Sequence, residues 1–308
     1  MITTITLNPA LDHYMIVDSK LIEDEVNRSN KEMLKAGGKG LNVSKVLSSI
    51  GIKSNALALI GGFSGEYIRS SFENREMINF IGIELEGITR INAKIYGEDK
   101  TICVNGNGPE ADENTREEIR RYLNSINKDD YVMICGSKAK GLDDDFIVEM
   151  SQIVNKRNGR LVIDMESLTL EMIEKCKPYL IKPNLYEFKK LTGNIDITPK
   201  NIKKEIDGLL DIGLKNILIS LGKDGALYAN ENEMYKVDQP EVNAINKVCC
   251  GDSMLATFVG YESEGKDIIS TLKYATAAGI SQACTMDEIT MEMIESCTKD
   301  IVVKRIDL

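Results

Sequence analysis

Short apolar runs alternate along most of the chain with segments whose apolar residues recur at helical spacing. The runs that are typical of buried strands cover residues 2–7, 56–60, 131–135, 161–164, 179–181 and 217–221. Between them lie amphipathic segments, such as the one predicted to begin with Thr198 as cap and Pro199 in first position and to end at Gly213. Strands that alternate with helices predict an α/β fold with a central, mainly parallel sheet that helices cover on both faces.

Further helices are predicted over residues 114–126, where Thr115 and Glu118 have capping-box spacing, and over residues 144–158. Another begins near Asp252, has its apolar face at helical spacing, and is expected to stop at Gly265.

Two regions interrupt this alternation, at about residues 14–34 and 88–105. In the second region, Ile91, Ala93 and Ile95 alternate with polar residues, which predicts half-exposed antiparallel strands. Neither a low-complexity linker nor a repeat of fixed period separates these regions from the rest. We therefore expect one domain over residues 1–308, with lid segments at about 13–35 and 88–106.

The charge balance limits the partners. Among 308 residues, 38 basic side chains face 48 acidic ones, and no basic run is long enough to bind nucleic acid or an anionic membrane surface. An anionic small molecule would need cations gathered locally. Candidates are Lys39, Arg90, Lys138, Lys140 and Lys182.

The cysteines and the single histidine narrow the chemistry further. Seven cysteines form no Cys-x-x-Cys pair, which predicts a reducing, cytoplasmic location. We expect neither a secretory leader nor a run of about 18 apolar residues that could span a membrane. His13 is the only histidine, so a histidine cluster for a metal is excluded, and a turn residue is the favoured interpretation.

The segment of residues 246–254 carries the most informative carboxylate. Asp252 opens a predicted helix, whose free N–H groups and dipole favour a phosphate or a developing oxyanion. A base beside such a site suits phosphoryl transfer. An ordinary aspartate cap on a buried helix explains the same residues equally well.

Other polar motifs follow predicted strands and are expected to share one crevice at their carboxyl ends. Residues 37–43 (Gly-Gly-Lys-Gly-Leu-Asn-Val) match neither a Walker A loop nor Gly-x-Gly-x-x-Gly, and a tight turn explains their glycines. Asp12 suits sugar hydroxyls or a solvated turn, whereas Arg90 and Asn92 share one face of a lid strand and suit a phosphate or a surface charge row.

A nucleotide side is suggested by two further segments. Asn184 and Glu187 stand three apart at a helix start, where a glutamate can hold water around Mg²⁺ or simply begin the helix. Residues 220–225 fit either a glycine turn between two strands or a loop over phosphates, and small residues at 274–284 fit an adenine wall or helix packing.

Together these motifs resemble the PfkB (ribokinase-like) carbohydrate kinases, in the phosphosugar branch that contains 1-phosphofructokinase and tagatose-6-phosphate kinase. The resemblance spans nearly the whole chain and is carried by residues 6–12, 37–44, 61–65, 89–94, 182–187, 220–225 and 251–254.

The resemblance implies a ribokinase-like three-layer fold with a small β-sheet lid, and ATP- and Mg²⁺-dependent phosphorylation of a ketohexose monophosphate to a 1,6-bisphosphate. It implies a catalytic base at Asp252 and an anion hole at Cys249, Cys250 and Gly251. It places the sugar at Asp12, Gly38, Lys39 and Asn42, and the existing phosphate at Arg90, Lys39, Asn92 and Ser137. The implied ATP and Mg²⁺ residues are Lys182, Asn184, Glu187, Ser220, Gly222 and Gly225, with Glu187 serving the metal.

Departures from the family pattern keep alternatives open. Cys249 stands where the family usually has glycine, and its side chain is expected to meet the γ-phosphate or to oppose a positive φ. Residues 135–141 and 164–167 also differ from the usual motifs. Besides 1-phosphofructokinase and tagatose-6-phosphate kinase activity, a weakly active or inactive sugar-phosphate-binding protein is therefore considered.

The retained Asp252, Lys39, Arg90 and Glu187 disfavour a mere sensor, because a sensor needs no base. A dinucleotide oxidoreductase is disfavoured because the first strand is not followed by Gly-x-Gly-x-x-Gly. A homodimer through the lid is a further expectation from the family.

Overall fold

The structure is a computed structural model that describes residues 1–198, 201–246 and 248–306. Within these ranges the elements are β1 (Ile2–Thr6), β2 (Ala10–Ile16), β3 (Lys31–Gly37), α1 (Lys39–Ser49), β4 (Ser54–Ile60), α2 (Gly62–Ser70), β5 (Ile78–Glu84), β6 (Arg90–Tyr96), β7 (Thr101–Asn105), α3 (Glu113–Leu123), β8 (Tyr131–Cys135), α4 (Asp144–Lys156), β9 (Arg160–Asp164), α5 (Leu170–Cys176), β10 (Leu180–Ile181), α6 (Leu185–Thr192), α7 (Ile202–Asp211), β11 (Asn216–Ser220), β12 (Ala226–Asn230), β13 (Met234–Asp238), α8 (Cys250–Ser263), α9 (Ile268–Ala283), α10 (Met291–Cys297) and β14 (Val302–Ile306).

The central sheet has ten strands in the order β14-β13-β12-β11-β10-β9-β8-β1-β4-β5. The strands from β11 to β5 are parallel, and β12, β13 and β14 add an antiparallel edge. The predicted strands of the parallel part are confirmed, and residues 220–225 connect β11 to β12, as the turn between two strands requires. Strands β5, β12, β13 and β14 were missing from the prediction.

Successive residues of the central strands enter opposite layers of the core. Val132 and Ile134 of β8 pack with the helices α3 to α7, whereas Tyr131, Met133 and Cys135 pack with α1, α8, α9 and α10. Because side chains alternate along a strand, continuous apolar runs are what a sheet covered on both faces needs. The three-layer architecture is thereby confirmed.

The lid is a four-stranded sheet in the order β3-β2-β6-β7. The antiparallel expectation is right for the pairs β2–β3 and β6–β7 but wrong for β2–β6, which is parallel. The reason is that β2 and β6 follow β1 and β5, two parallel strands, and both leave the same carboxyl edge in the same direction.

Two helix starts differ from the prediction. Asn201, not Thr198, caps α7, and its Oδ1 accepts from the Thr198 N–H at 2.7 Å; Pro199 lies outside the described residues. Asp112 caps α3 by accepting from the backbone N–H of Thr115, so Thr115 and Glu118 form no capping box there. At α3 an aspartate outside the apolar pattern thus accepts from a first-turn N–H group, whereas the Asn201 side chain makes no such bond to α7.

All seven cysteines are free. Among residues 1–198, 201–246 and 248–306, no helix combines the length and the apolar composition that crossing a membrane requires.

Candidate active site

Asp252 lies in the first turn of α8, at the carboxyl edge of the central sheet, and only 6% of it is exposed. Its Oδ2 accepts a hydrogen bond from Nδ2 of Asn42 at 2.9 Å. Burial and the nearby Asp164 raise the pKa of Asp252, whereas the Asn42 hydrogen bond, Lys39 and Lys182 oppose this rise. Cys249, not Asp252, is the N-cap residue, so the interpretation of Asp252 as an ordinary helix cap is wrong.

Asp164, at the end of β9, is a member of this edge that the sequence analysis did not assign. It is 3% exposed, with Oδ1 3.3 Å from Nζ of Lys39 and Oδ2 3.7 Å from Nζ of Lys182. Burial lowers the pKa of Lys39, but the carboxylates of Asp164, Asp252 and Glu187 outweigh burial and leave this pKa raised. The signal that could have found Asp164 is its position as the one acid ending a buried strand run.

A cavity of about 550 Å³, the larger cavity, opens beside Asp252. It is lined by every residue that the family resemblance assigned to the nucleotide side: Lys182, Asn184, Glu187, Ser220, Gly222 and Gly225. Lys39, Cys250, Gly251 and Asp252 line it too, and small and apolar residues of α9, among them Gly279, Ile280 and Ala283, form a wall. The cavity therefore joins cations, a helix N-terminus and an apolar wall, as a nucleotide requires.

Asn184 and Glu187 form a reciprocal capping box at the start of α6. The Asn184 side chain accepts from the Glu187 N–H at 2.9 Å, and the Glu187 carboxylate accepts from the Asn184 N–H at 2.8 Å. Among the described residues no three acidic, cysteine or histidine side chains gather as a metal site. A magnesium ion fits here through waters and phosphate oxygens, with the Glu187 carboxylate nearby, which is its usual mode beside nucleotides.

A second cavity of about 390 Å³, the lid cavity, lies between the lid and the α1 helix and is lined by Asp12, Asn42 and Cys249 among others. Asp12 is held on both oxygens from strand β6: Asn92 Nδ2 donates to Oδ1 at 2.8 Å, and Lys94 Nζ lies 2.9 Å from Oδ2. Lys94 is not among the candidate residues predicted from the sequence, although it pairs with Asp12 here.

The remaining predicted substrate residues surround the Asn8–Pro9 turn and line neither cavity. Arg90 donates from Nε to the Pro9 carbonyl at 3.3 Å, and Ser137 lies 3.5 Å from the Asn8 amide. Burial lowers the pKa of Arg90, which Asp12 opposes. Gly38 caps α1 at φ 129°, where a β-carbon would lie 2.7 Å from Thr6 Cγ2. These residues thus lie around the Asn8–Pro9 turn and outside the cavity that is lined by the predicted nucleotide residues.

The family described as pfkB family carbohydrate kinase matches residues 6–290 of this chain. The chain belongs to this family. It is 32% identical to a 1-phosphofructokinase of Borreliella burgdorferi over 98% of this chain and 99% of that protein. It is 35% identical to a D-tagatose-1-phosphate kinase of Bacillus licheniformis over 91% of each chain.

Phosphofructokinase-2 from Escherichia coli, solved with fructose-6-phosphate, superposes with a TM-score of 0.88 over 96% of this chain and 97% of that chain. At 22% identity this likeness shows the fold, which is the ribokinase-like fold of pfkB kinases.

Cys249 is where this pfkB kinase departs from the usual glycine, and its backbone keeps the left-handed conformation with φ 64°. Its side chain turns toward Asn42, whose Nδ2 lies 3.1 Å from Sγ, and it lines the lid cavity and not the larger one. The expected obstacle at the γ-phosphate is therefore absent from the larger cavity, while the expected positive φ is present. Burial raises the pKa of Cys249 to about 12.

At Gly251 of this pfkB kinase an added side chain would crowd the end of a lysine side chain. A β-carbon on Gly251 would lie 2.9 Å from Nζ of Lys182. Glycine thus lets the Lys182 ammonium group lie against the first turn of α8. The positive charge of the ammonium group and the N-terminus of the helix favour the same anion.

Proposed function

We propose that this chain transfers the γ-phosphoryl group of ATP to the free primary hydroxyl of a ketohexose 1-phosphate, with fructose 1-phosphate as the first candidate. The observation that carries the proposal is the position of Asp252. It lines the larger cavity, and it accepts a hydrogen bond from Asn42, which lines the lid cavity. A carboxylate between a nucleotide and a sugar can take the acceptor's proton during transfer.

In the proposed reaction the hydroxyl oxygen bonds to the γ-phosphorus as the bond from that phosphorus to the bridging oxygen breaks, and ADP leaves. Asp252 takes the hydroxyl proton. The first intrahelical hydrogen bond of α8 is donated by Ser253 to Cys249, so the N–H groups of residues 250–252 stay available for the transferred group. Lys39 and Lys182 add positive charge beside them.

Lys182, Ser220, Gly222, Gly225 and the α9 wall would hold ATP, while Asn184 and Glu187 would hold water around Mg²⁺. When bound, Mg²⁺ neutralises the phosphate oxygens and helps to align them. The chain's own contribution is to hold the ammonium groups of Lys39 and Lys182 in place through Asp164.

On the sugar side, Asp12, Gly38 and Asn42 would bind hydroxyl groups. Arg90, Asn92 and Ser137, with Lys39, would bind the phosphate already present, so that the other end of the sugar is left for the base. Arginine suits that task because its planar fork matches a phosphate.

A second candidate substrate is tagatose 1-phosphate, because a relative of 35% identity is named a D-tagatose-1-phosphate kinase. Tagatose 6-phosphate and a binding-only protein are further alternatives. An ADP-coupled assay over fructose 1-phosphate, tagatose 1-phosphate, tagatose 6-phosphate and fructose 6-phosphate ranks them by kcat/KM. Absence of turnover with every phosphosugar, in a protein that binds one of them, would establish the binding-only alternative.

We also propose that two copies pair through their lids. Strand β7 is exposed along its whole length, and its Val104 is 59% exposed, as expected of an apolar edge that needs cover. Light scattering after gel filtration of the wild type and Val104→Lys tests this; a wild-type monomer contradicts it.

A further inference from the structure

The side-chain amide of Asn42 contacts two residues at the start of α8 at once. Its nitrogen lies 2.9 Å from Oδ2 of Asp252 and 3.1 Å from Sγ of Cys249. A carboxylate can only accept hydrogen bonds, so the amide must turn its nitrogen, not its oxygen, toward Asp252. The nitrogen carries two hydrogens, and the second one is left for the sulfur.

The backbone of Cys249 shows that this sulfur is held at a cost. A residue with a β-carbon at φ 64° is disfavoured relative to the right-handed region, and glycine would avoid that cost. Glycine would also remove the acceptor of the second Asn42 hydrogen. The strained backbone of Cys249 and the contact of its sulfur with Asn42 therefore both depend on the same side chain.

A chemical role for the thiol itself is disfavoured. Burial raises the pKa of Cys249 to about 12, so the group is a protonated thiol near neutral pH and a poor nucleophile. Its side chain also lines the lid cavity and not the cavity assigned to ATP. What remains is its contact with Asn42.

We infer that Cys249 is a positioning residue, whose sulfur fixes the Asn42 amide and through it the orientation of the Asp252 carboxylate. The role rests on the proposed function, which makes Asp252 the base. It assigns a use to the residue that departs from the family pattern, at the position where a side chain was expected only to hinder.

Three substitutions separate the sulfur from the strain. Cys249→Ser keeps an acceptor, Cys249→Ala removes the acceptor and keeps the strained β-carbon, and Cys249→Gly removes both. Losing one hydrogen bond predicts a two- to tenfold lower kcat, about what such a contact contributes, for the alanine and glycine variants, with the KM for ATP unchanged. Serine should restore most of the kcat.

The pH profile of kcat gives a readout that a merely structural role would not move. The hydrogen bond from Asn42 lowers the pKa of Asp252, against burial and Asp164, while Lys39 and Lys182 face the same carboxylate and are unchanged by the substitutions. We expect the acid limb to shift to higher pH in the alanine and glycine variants, and to stay in place in the serine variant. The exposed Cys284→Ala is the matched control.

Side-chain amide NMR of protein labelled with ¹⁵N-asparagine tests the contact without turnover. The Asn42 NH₂ pair, assigned by its loss in Asn42→Ser, should shift in the alanine and glycine variants and keep its position with serine. If the wild type lacks kinase activity but this signal follows residue 249, the proposed function fails and the contact stands. The inference is overturned if the wild type is active and all three variants match it in kcat, in the acid limb and in the Asn42 amide signal. It is also overturned if Cys249→Gly raises kcat without moving that signal.

Discussion

Replacing Asp164 with asparagine removes the carboxylate that lies between two lysines at the end of β9. Each lysine gains direct attraction from it: at an effective dielectric constant of about 20, unit charges 3.3 Å and 3.7 Å apart attract by about 5 and about 4.5 kcal/mol. Desolvation of the groups offsets most of that gain. Removing one partner of a buried pair still costs about 3–5 kcal/mol, because the other charge stays buried and unpaired.

Lys182 is the residue that cannot escape to solvent, since it is only 5% exposed. We therefore expect Asp164→Asn to lower the free energy of unfolding by about 3–5 kcal/mol, which for a chain of 308 residues corresponds to a Tm about 5–8 °C lower. The control is Glu171→Gln, which removes an exposed ion pair with Lys175 and should leave the Tm almost unchanged.

ATP sharpens the test, because its phosphates would supply the negative charge that the variant lacks. Calorimetry with and without ATP should show a larger ATP-induced rise in Tm for Asp164→Asn than for the wild type. The residual activity should have its acid limb at lower pH, since Asp164 raises the pKa of Asp252. An unchanged Tm, or an equal response to ATP in both proteins, would refute the charge-balancing role of Asp164.

Further predictions concern the base, the lid and a buried acid remote from the site. Asp252→Ala should lose at least about two orders of magnitude in kcat while calorimetric binding of the sugar phosphate survives; near-normal turnover would remove Asp252 from the mechanism. Lys94→Met should weaken sugar-phosphate binding and raise its KM severalfold, because Asp12 loses its partner at 2.9 Å, and an unchanged KM speaks against that contact. Burial raises the pKa of Glu262 above its ordinary value of 4.5, and its Oε2 has no hydrogen-bond partner among the described residues. Because the folded-state pKa is raised, the stability contributed by the neutral acid is present at low pH and is lost as the pH rises above about 4.5. Urea titrations should therefore show the free energy of unfolding of Glu262→Gln rising relative to that of the wild type from pH 5 to pH 8. Parallel pH dependence in the two proteins would contradict this.

Much of the fold was readable because its signals are local. Apolar runs such as residues 131–135 need only their own alternation to be recognised as strands buried on both faces, and β8 (Tyr131–Cys135) has the predicted bounds. The starts of α3 and α7 were misplaced, since several nearby polar residues can each cap a helix and only the folded backbone selects one.

The sequence by itself determined the α/β architecture, the order of the motifs, membership of the pfkB family and the candidate residues, because each is carried by residues close together along the chain. Tertiary structure alone decided that Asp164 lies between Lys39 and Lys182, that Lys94 pairs with Asp12, and that the sulfur of Cys249 faces Asn42. These contacts join residues that are distant in sequence, as for Lys39 and Asp164 at a separation of 125 and Asn42 and Cys249 at 207. Hydrophobic periodicity specifies which face of an element is buried, but the partner of a polar side chain at the sheet edge depends on how the elements are assembled.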